Sequence, residues 1–153
     1  MKVVFQLEHK RLTERDEITG EEIFNTKMLG FFSSEEKCNE AIDYYLKQPG
    51  FCENPEAFYI EEIEADLDDF NEEAGEFYQY VYYLTHEWYD SEYDYVTTMG
   101  CYSSFGKAKE AEQNYRLDPD LVDHPEGFCI DQYEIDKMHW LEGFFVWRKN
   151  KDS

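Results

Sequence analysis

The chain repeats itself. Gly30-Phe31-Phe32-Ser33-Ser34 lines up with Gly100-Cys101-Tyr102-Ser103-Ser104 at an offset of 70. The same offset pairs Lys37 with Lys107, Glu40-Ala41 with Glu110-Ala111, Tyr45 with Tyr115, Pro49 with Pro119 and Pro55-Glu56 with Pro125-Glu126. It continues through Phe58 with Phe128, Ile60 with Ile130, Glu64 with Glu134 and Asp66 with Asp136, giving 14 identities in the 41 positions from 30 to 70 without a gap. Similarity in one register over that length points to two copies of one supersecondary unit. Upstream the offset becomes 77, pairing Phe5-Gln6-Leu7-Glu8-His9 with Tyr82-Tyr83-Leu84-Thr85-His86. The first copy therefore carries seven more residues between its first two strands.

Each copy reads as β-β-α-β. Val3, Phe5, Leu7 and His9 alternate with Val4, Gln6 and Glu8, the period of a strand, and Tyr80, Tyr82, Leu84 and His86 repeat that face. Residues 10–22 are polar, carry Thr19-Gly20, and read as a long hairpin loop. Second strands are expected over residues 23–32 and 93–102. Ser33, with Glu36 three residues on, reads as a capping box, and Cys38, Ala41, Ile42 and Tyr45 form the apolar stripe of the helix it starts. Ser103 has Gly106 in place of the reciprocal Glu, which predicts a weaker second helix start. Third strands are expected over 57–65 and 127–135. Placing each third strand beside the first makes every neighbouring pair antiparallel. The fold class is thus α+β: two tandem β-β-α-β repeats, antiparallel sheets with one helix per repeat. They divide at 1–75 and 76–153, joined by residues 71–79. A unit of about 75 residues has a marginal core by itself, so the repeats are expected to pack as a pseudo-dimer, face to face or edge to edge.

Composition bounds the function. Acidic residues number 36 and basic ones 14, a net charge of -22. Such a charge repels nucleic-acid phosphates and anionic membranes, so neither is an expected partner. No apolar run reaches the length of a membrane span, and Met1-Lys2-Val3-Val4-Phe5-Gln6 turns polar too soon for a signal peptide, which places the chain in the cytoplasm as an expectation. Tyr (13), Phe (12) and Trp (3) outnumber the branched aliphatics, so rings must build the core, and buried tyrosine hydroxyls need partners.

The second copy resembles a small uncharacterised bacterial domain family. The resemblance rests on Gly100-Cys101-Tyr102-Ser103-Ser104, then Pro125-Glu126-Gly127-Phe128, then Asp136-Lys137-Met138-His139-Trp140-Leu141-Glu142-Gly143-Phe144, and covers roughly residues 80–145. The first copy keeps Gly30, Ser33, Ser34, Pro55 and Phe58 but ends in Asp69-Phe70-Asn71-Glu72-Glu73 instead. The resemblance implies a single-copy fold of some 60–70 residues and a bacterial origin, and no activity.

Catalytic and metal chemistry finds little support. Cys38, Cys52, Cys101 and Cys129 lack zinc-ligand spacing and read as free thiols. His9 and His86 read as hydrogen-bonded histidines at a core edge. His139, near Asp136 and Glu142, has no spaced nucleophile, and the His139-Trp140 motif reads as a packed or partner-contacting cap. No metal, cofactor or catalytic set is assigned. Two acidic stretches stand out: Asp66, Asp68, Asp69, Glu72 and Glu73 in a run without a base, and Trp88, Tyr89, Asp90 and Glu92, where acids alternate with the rings that carry interface energy. Together with His139 and Trp140 these are the candidate partner-binding residues. The expected function is a non-enzymatic acidic protein-binding module, of the inhibitor or immunity type, masking a basic protein as a monomer with an internal pseudo-twofold or a weak homodimer. The alternative is a small-molecule-binding or enzymatic domain with a site between the repeats. A plainer interaction scaffold, its acidity serving solubility, is not separated from the first by sequence.

Overall fold

The computed structural model describes residues 2–68, 70, 78–89, 94–119 and 124–145. In chain order they form β1 (Lys2–Arg15), β2 (Glu22–Phe32), α1 (Glu35–Tyr45), β3 (Phe58–Asp66), β4 (Tyr80–Tyr89), β5 (Asp94–Tyr102), α2 (Phe105–Tyr115), a 3-10 turn (Pro125–Gly127) and β6 (Phe128–Glu134). The fold is α+β, with two helices and six strands in the order β2-β1-β3-β5-β4-β6. The sheet is mixed, not wholly antiparallel as expected: the end of β3 runs parallel to β5, Ala65 opposite Cys101 and Asp66 opposite Tyr102. The expectation considered only pairs inside one repeat, and this pair joins elements from both.

Both hairpins follow one plan. Leu7 lies opposite Gly30 and Leu84 opposite Gly100, and in each the ladder slips one residue further on. The first is much longer than expected. Residues 10–15 and Glu22 are strand, not loop, and residues 23–26 are strand as expected, with a register from Lys10 opposite Thr26 to Arg15 opposite Glu22. The polar composition concealed it, because an arm exposed on both faces needs no apolar alternation.

The helix caps sit one residue later than the motif suggested. Ser34 Oγ accepts from Lys37 N at 3.2 Å and Ser104 Oγ from Lys107 N at 3.1 Å, with near-identical cap dihedrals. The reciprocal carboxylate is absent from both, and the first turn of α1 holds Glu35 and Glu36 where that of α2 holds no acid. Ser33 serves elsewhere, its N and Oγ both donating to the Asp136 carboxylate at 2.8 and 2.9 Å.

The chain divides into two compact units, one of Met1–Val4 and Glu62–Ile135, the other of Phe5–Glu61 and Asp136–Ser153. In the first, Val81, Leu84, Cys101, Ala108, Ala65 and Leu67 are buried. Burial alone pushes the Cys101 thiol up to about 12, which makes it an unreactive packing group. In the second, Leu7, Leu29, Phe32, Cys38, Ala41, Tyr45, Phe51 and Phe144 form the core. Three of the four expected stripe residues of α1 are buried and Ile42 is partly so. The residues after β6 complete this second core. Asp136 N donates to Phe31 O, His139 N to Leu29 O, and the Tyr45 hydroxyl to His139 O and Leu29 O, which answers the polar demand of a ring with no exposed surface.

His9 is buried in the same unit, edge-on to Phe51 and Phe58, both at 4.9 Å. Burial pushes its imidazole below the usual value. The Asn54 carbonyl, 3.1 Å from Nε2, opposes this only in part, and Lys27 and Arg11 add to the lowering. The unfolded chain takes up a proton near pH 6.5 while folded His9 does not, so this contribution to stability is intact above 6.5 and lost as pH falls toward the folded value. Burial raises the Glu8 carboxyl, whose contribution has the opposite sign and a window that starts lower, near 4.5. We expect the His9 ring resonances to stay at their neutral positions below pH 6.5, and the His9→Gln variant to lose less stability than the parent between pH 7 and 5. Ordinary titration of His9 near 6.5 contradicts this account.

Candidate functional site

The end of β4 and the start of β6 enclose an open recess of about 720 Å³ within the 62–135 unit, lined by Glu87, Trp88, Tyr89, His124, Glu126, Gly127, Phe128 and Cys129. Its shape follows from the strands. The β4–β6 ladder ends at His86 opposite Phe128, their rings 4.7 Å apart. His86 Nε2 lies 2.8 Å from His124 O and ties the turn to the strand. Strand alternation puts Trp88 on the same side as His86, where its ring stacks flat on His124 at 4.2 Å and 4°. Glu87 is exposed, Glu126 keeps 73% of its side chain exposed and Tyr89 is 79% exposed. Two carboxylates beside exposed ring surface suit a cationic side chain, which pairs with the acids and lies against the π-face.

The recess has one thiol among its described lining residues, that of Cys129. Burial, a hydrogen bond to Asp131 and the charges of Asp131 and Glu87 together hold the Cys129 thiol above its ordinary value. Among the described residues, no group of three His, Cys, Asp or Glu side chains is placed to hold a metal ion. All four cysteines are free thiols, Cys38 and Cys101 buried, Cys52 and Cys129 exposed.

Of the residues singled out in the sequence, Trp88 and Tyr89 meet at the recess. Asp66 does not join them: its Oδ1 is 3.0 Å from Lys107 Nζ and its carbonyl accepts from Ser103 N, so it secures the start of α2. Asp68 is an exposed turn residue. His139 and Trp140 belong to the 5–61 unit, where His139 is half-buried on β2 and Trp140 is 48% exposed with Lys27 Nζ 5.3 Å from its ring. Asp69, Glu72, Glu73, Asp90 and Glu92 lie outside the described residues. Sequence reasoning passed over His124 and Glu126 as site residues. Pro125 between them, a residue suited to the first position of a helical turn, was the available signal.

The fold and site define an acidic α+β protein with an acid-and-aromatic recess. Residues 3–74 match the model of a family described as a domain of unknown function, DUF7336, so this half is similar to an uncharacterised domain family. The match falls on the first half, where the Gly-x-Tyr-Ser-Ser to Trp-x-Glu-Gly-Phe pattern is the weaker of the two. No curated protein and no solved structure matches the chain. No described helix is long and apolar enough to cross a membrane.

Proposed function

We propose that the chain is a non-enzymatic protein-binding module that masks a basic partner in the manner of an inhibitor or immunity protein. In this reading it arose by duplication of a β-β-α-β unit, its copies packing as a pseudo-dimer. The carrying observation is the recess, which exposed Tyr89 lines together with Glu87 and Glu126 in a chain of net charge -22. A ring presented with carboxylates around it has the composition of an interface anchor for arginine or lysine. The matching hairpin slips and serine caps support the duplication.

The test is capture from native-host extract at low salt, followed by titration of the purified partner. We expect a cationic protein whose affinity falls steeply with added salt. Tyr89→Ala should weaken it by roughly tenfold and Glu87→Gln with Glu126→Gln by a similar factor. Absence of any cationic partner at low salt, or binding indifferent to salt, overturns the proposal.

A further inference from the structure

β2 lies at the end of the strand order, and its outer edge is unevenly covered. Toward Phe32 the segment after β6 docks on it, Asp136 N donating to Phe31 O at 2.8 Å and His139 N to Leu29 O at 2.9 Å. Toward Glu22 nothing similar occurs. Among the described residues, the backbone of residues 23–26 pairs with β1 alone, Phe24 opposite Leu12 and Asn25 opposite Arg11. An edge with unpaired donors and acceptors is a template for an added strand. Two common guards, Pro and Lys, are missing from residues 22–26.

This stretch also exposes apolar surface. Phe24 is 45% exposed, Leu12 facing it 41%, Ile23 52%, and Ile18 at the tip 96%. The tip is held in shape, with Asp16 N donating to Glu21 O at 2.7 Å and Asp16 Oδ1 accepting from Ile18 N at 2.8 Å. Around these residues stand Glu14, Asp16, Glu17, Glu21 and Glu22. The one base between Leu12 and Phe24 is Arg15, which is paired with Glu22 at 2.5 Å. Charge selects the occupant: a second copy brings another -22 against this edge and is repelled, whereas a cationic strand is attracted.

We propose that β2, from Glu22 to Thr26, accepts an extended basic segment of a partner protein as an added strand. The incoming main chain pairs with the edge, its apolar side chains cover Phe24 on one face, and its Arg or Lys side chains meet the tip carboxylates. The inference rests on the reading of the chain as a binder of basic proteins and gives it a docking element apart from the recess.

The test uses the full isotope-labelled chain and a short peptide alternating arginine and valine. A copy N-methylated at alternate residues and a glutamate–valine copy serve as controls. We expect the amides of residues 23–26 to gain exchange protection with the arginine peptide only. Phe24→Ser should weaken its binding by roughly tenfold through lost apolar contact, and added salt should weaken it further. Equal binding of the N-methylated peptide, or an unaffected Phe24→Ser variant, overturns strand addition. Protection near Tyr89 instead of β2 overturns the edge while leaving the proposed function standing. No binding of any basic peptide counts against both. Protection of the same amides in the unliganded protein, rising with its concentration and accompanied by a dimer mass, assigns the edge to a second copy and overturns the basic occupant.

Discussion

Replacing Phe144 by alanine is expected to destabilise the 5–61 unit by about 3–5 kcal/mol, the cost of emptying an aromatic site in a packed core. Phe144 is 9% exposed and stands edge-on to Phe51 at 4.9 Å, with His9 at 5.7 Å. Its N–H donates to Pro49 O, and a Cβ on Gly50 would sit 2.6 Å from its ring, so a hydrogen at Gly50 is what admits it. The ring also carries a charge. Lys27 Nζ lies 4.0 Å from its centroid, and Lys27 is 8% exposed with its ammonium held below the usual value by burial and by Arg11. Without the ring that ammonium stays in a water-poor place with the Asn25 side chain and the Trp140 ring as its remaining partners. Denaturant unfolding read by amide exchange should show the loss in α1 and β2, with β4 and β6 keeping their protection. Lys27→Met should recover part of it, a coupling that a double-mutant cycle measures. A uniform loss, or one below about 1 kcal/mol, contradicts this assignment.

The local architecture was legible because local chemistry fixes it. The offset of 70 gave both helices, and the C38-A41-Y45 stripe gave the buried face of the first. What escaped depends on distance along the chain. Ser33 and Ser34 are chemically equal as caps. In the structure Asp136, 103 residues on, bonds Ser33 while Ser34 caps the helix, a partnership that leaves no trace near either serine in the sequence. The same applies to His139: it reads in sequence as a packed or partner-contacting cap, and the groups that place it, Leu29 and Tyr45, lie far back along the chain. The alternation of acids and rings around Trp88 and Tyr89 was visible in the sequence. Their seat was not, since it needs the turn at His124, brought in by the β4–β6 ladder. The first hairpin arm was missed because alternation reports a buried face, and the arm has none.

Gly127→Ala tests the recess directly. The position shows how close two backbones come: a Cβ on Gly127 would overlap Glu87 O and lie 3.0 Å from His86 Nε2. Neither neighbour can yield. Glu87 O belongs to β4, held there by the pairing of Glu87 with Val96 of β5, and His86 is 1% exposed and bonded to His124 O. The added methyl must therefore lift the turn off the strand, which breaks the His86 bond and parts Trp88 from His124. We expect about 3 kcal/mol of destabilisation, at the upper end for overpacking. The first half supplies the control. Ala57 occupies the corresponding place there, 6% exposed, with its carbonyl accepting from Lys10 N at 2.9 Å, so a methyl is accommodated at that position. Ala57→Gly should cost under about 1 kcal/mol, chiefly chain entropy. Trp88 fluorescence separates the outcomes. A red shift in Gly127→Ala, with amide protection lost at the β4–β6 end, is the expected result. A stable variant with unchanged emission means that the backbones part more easily than their spacing implies, and the recess is then no pre-formed seat for a cationic side chain.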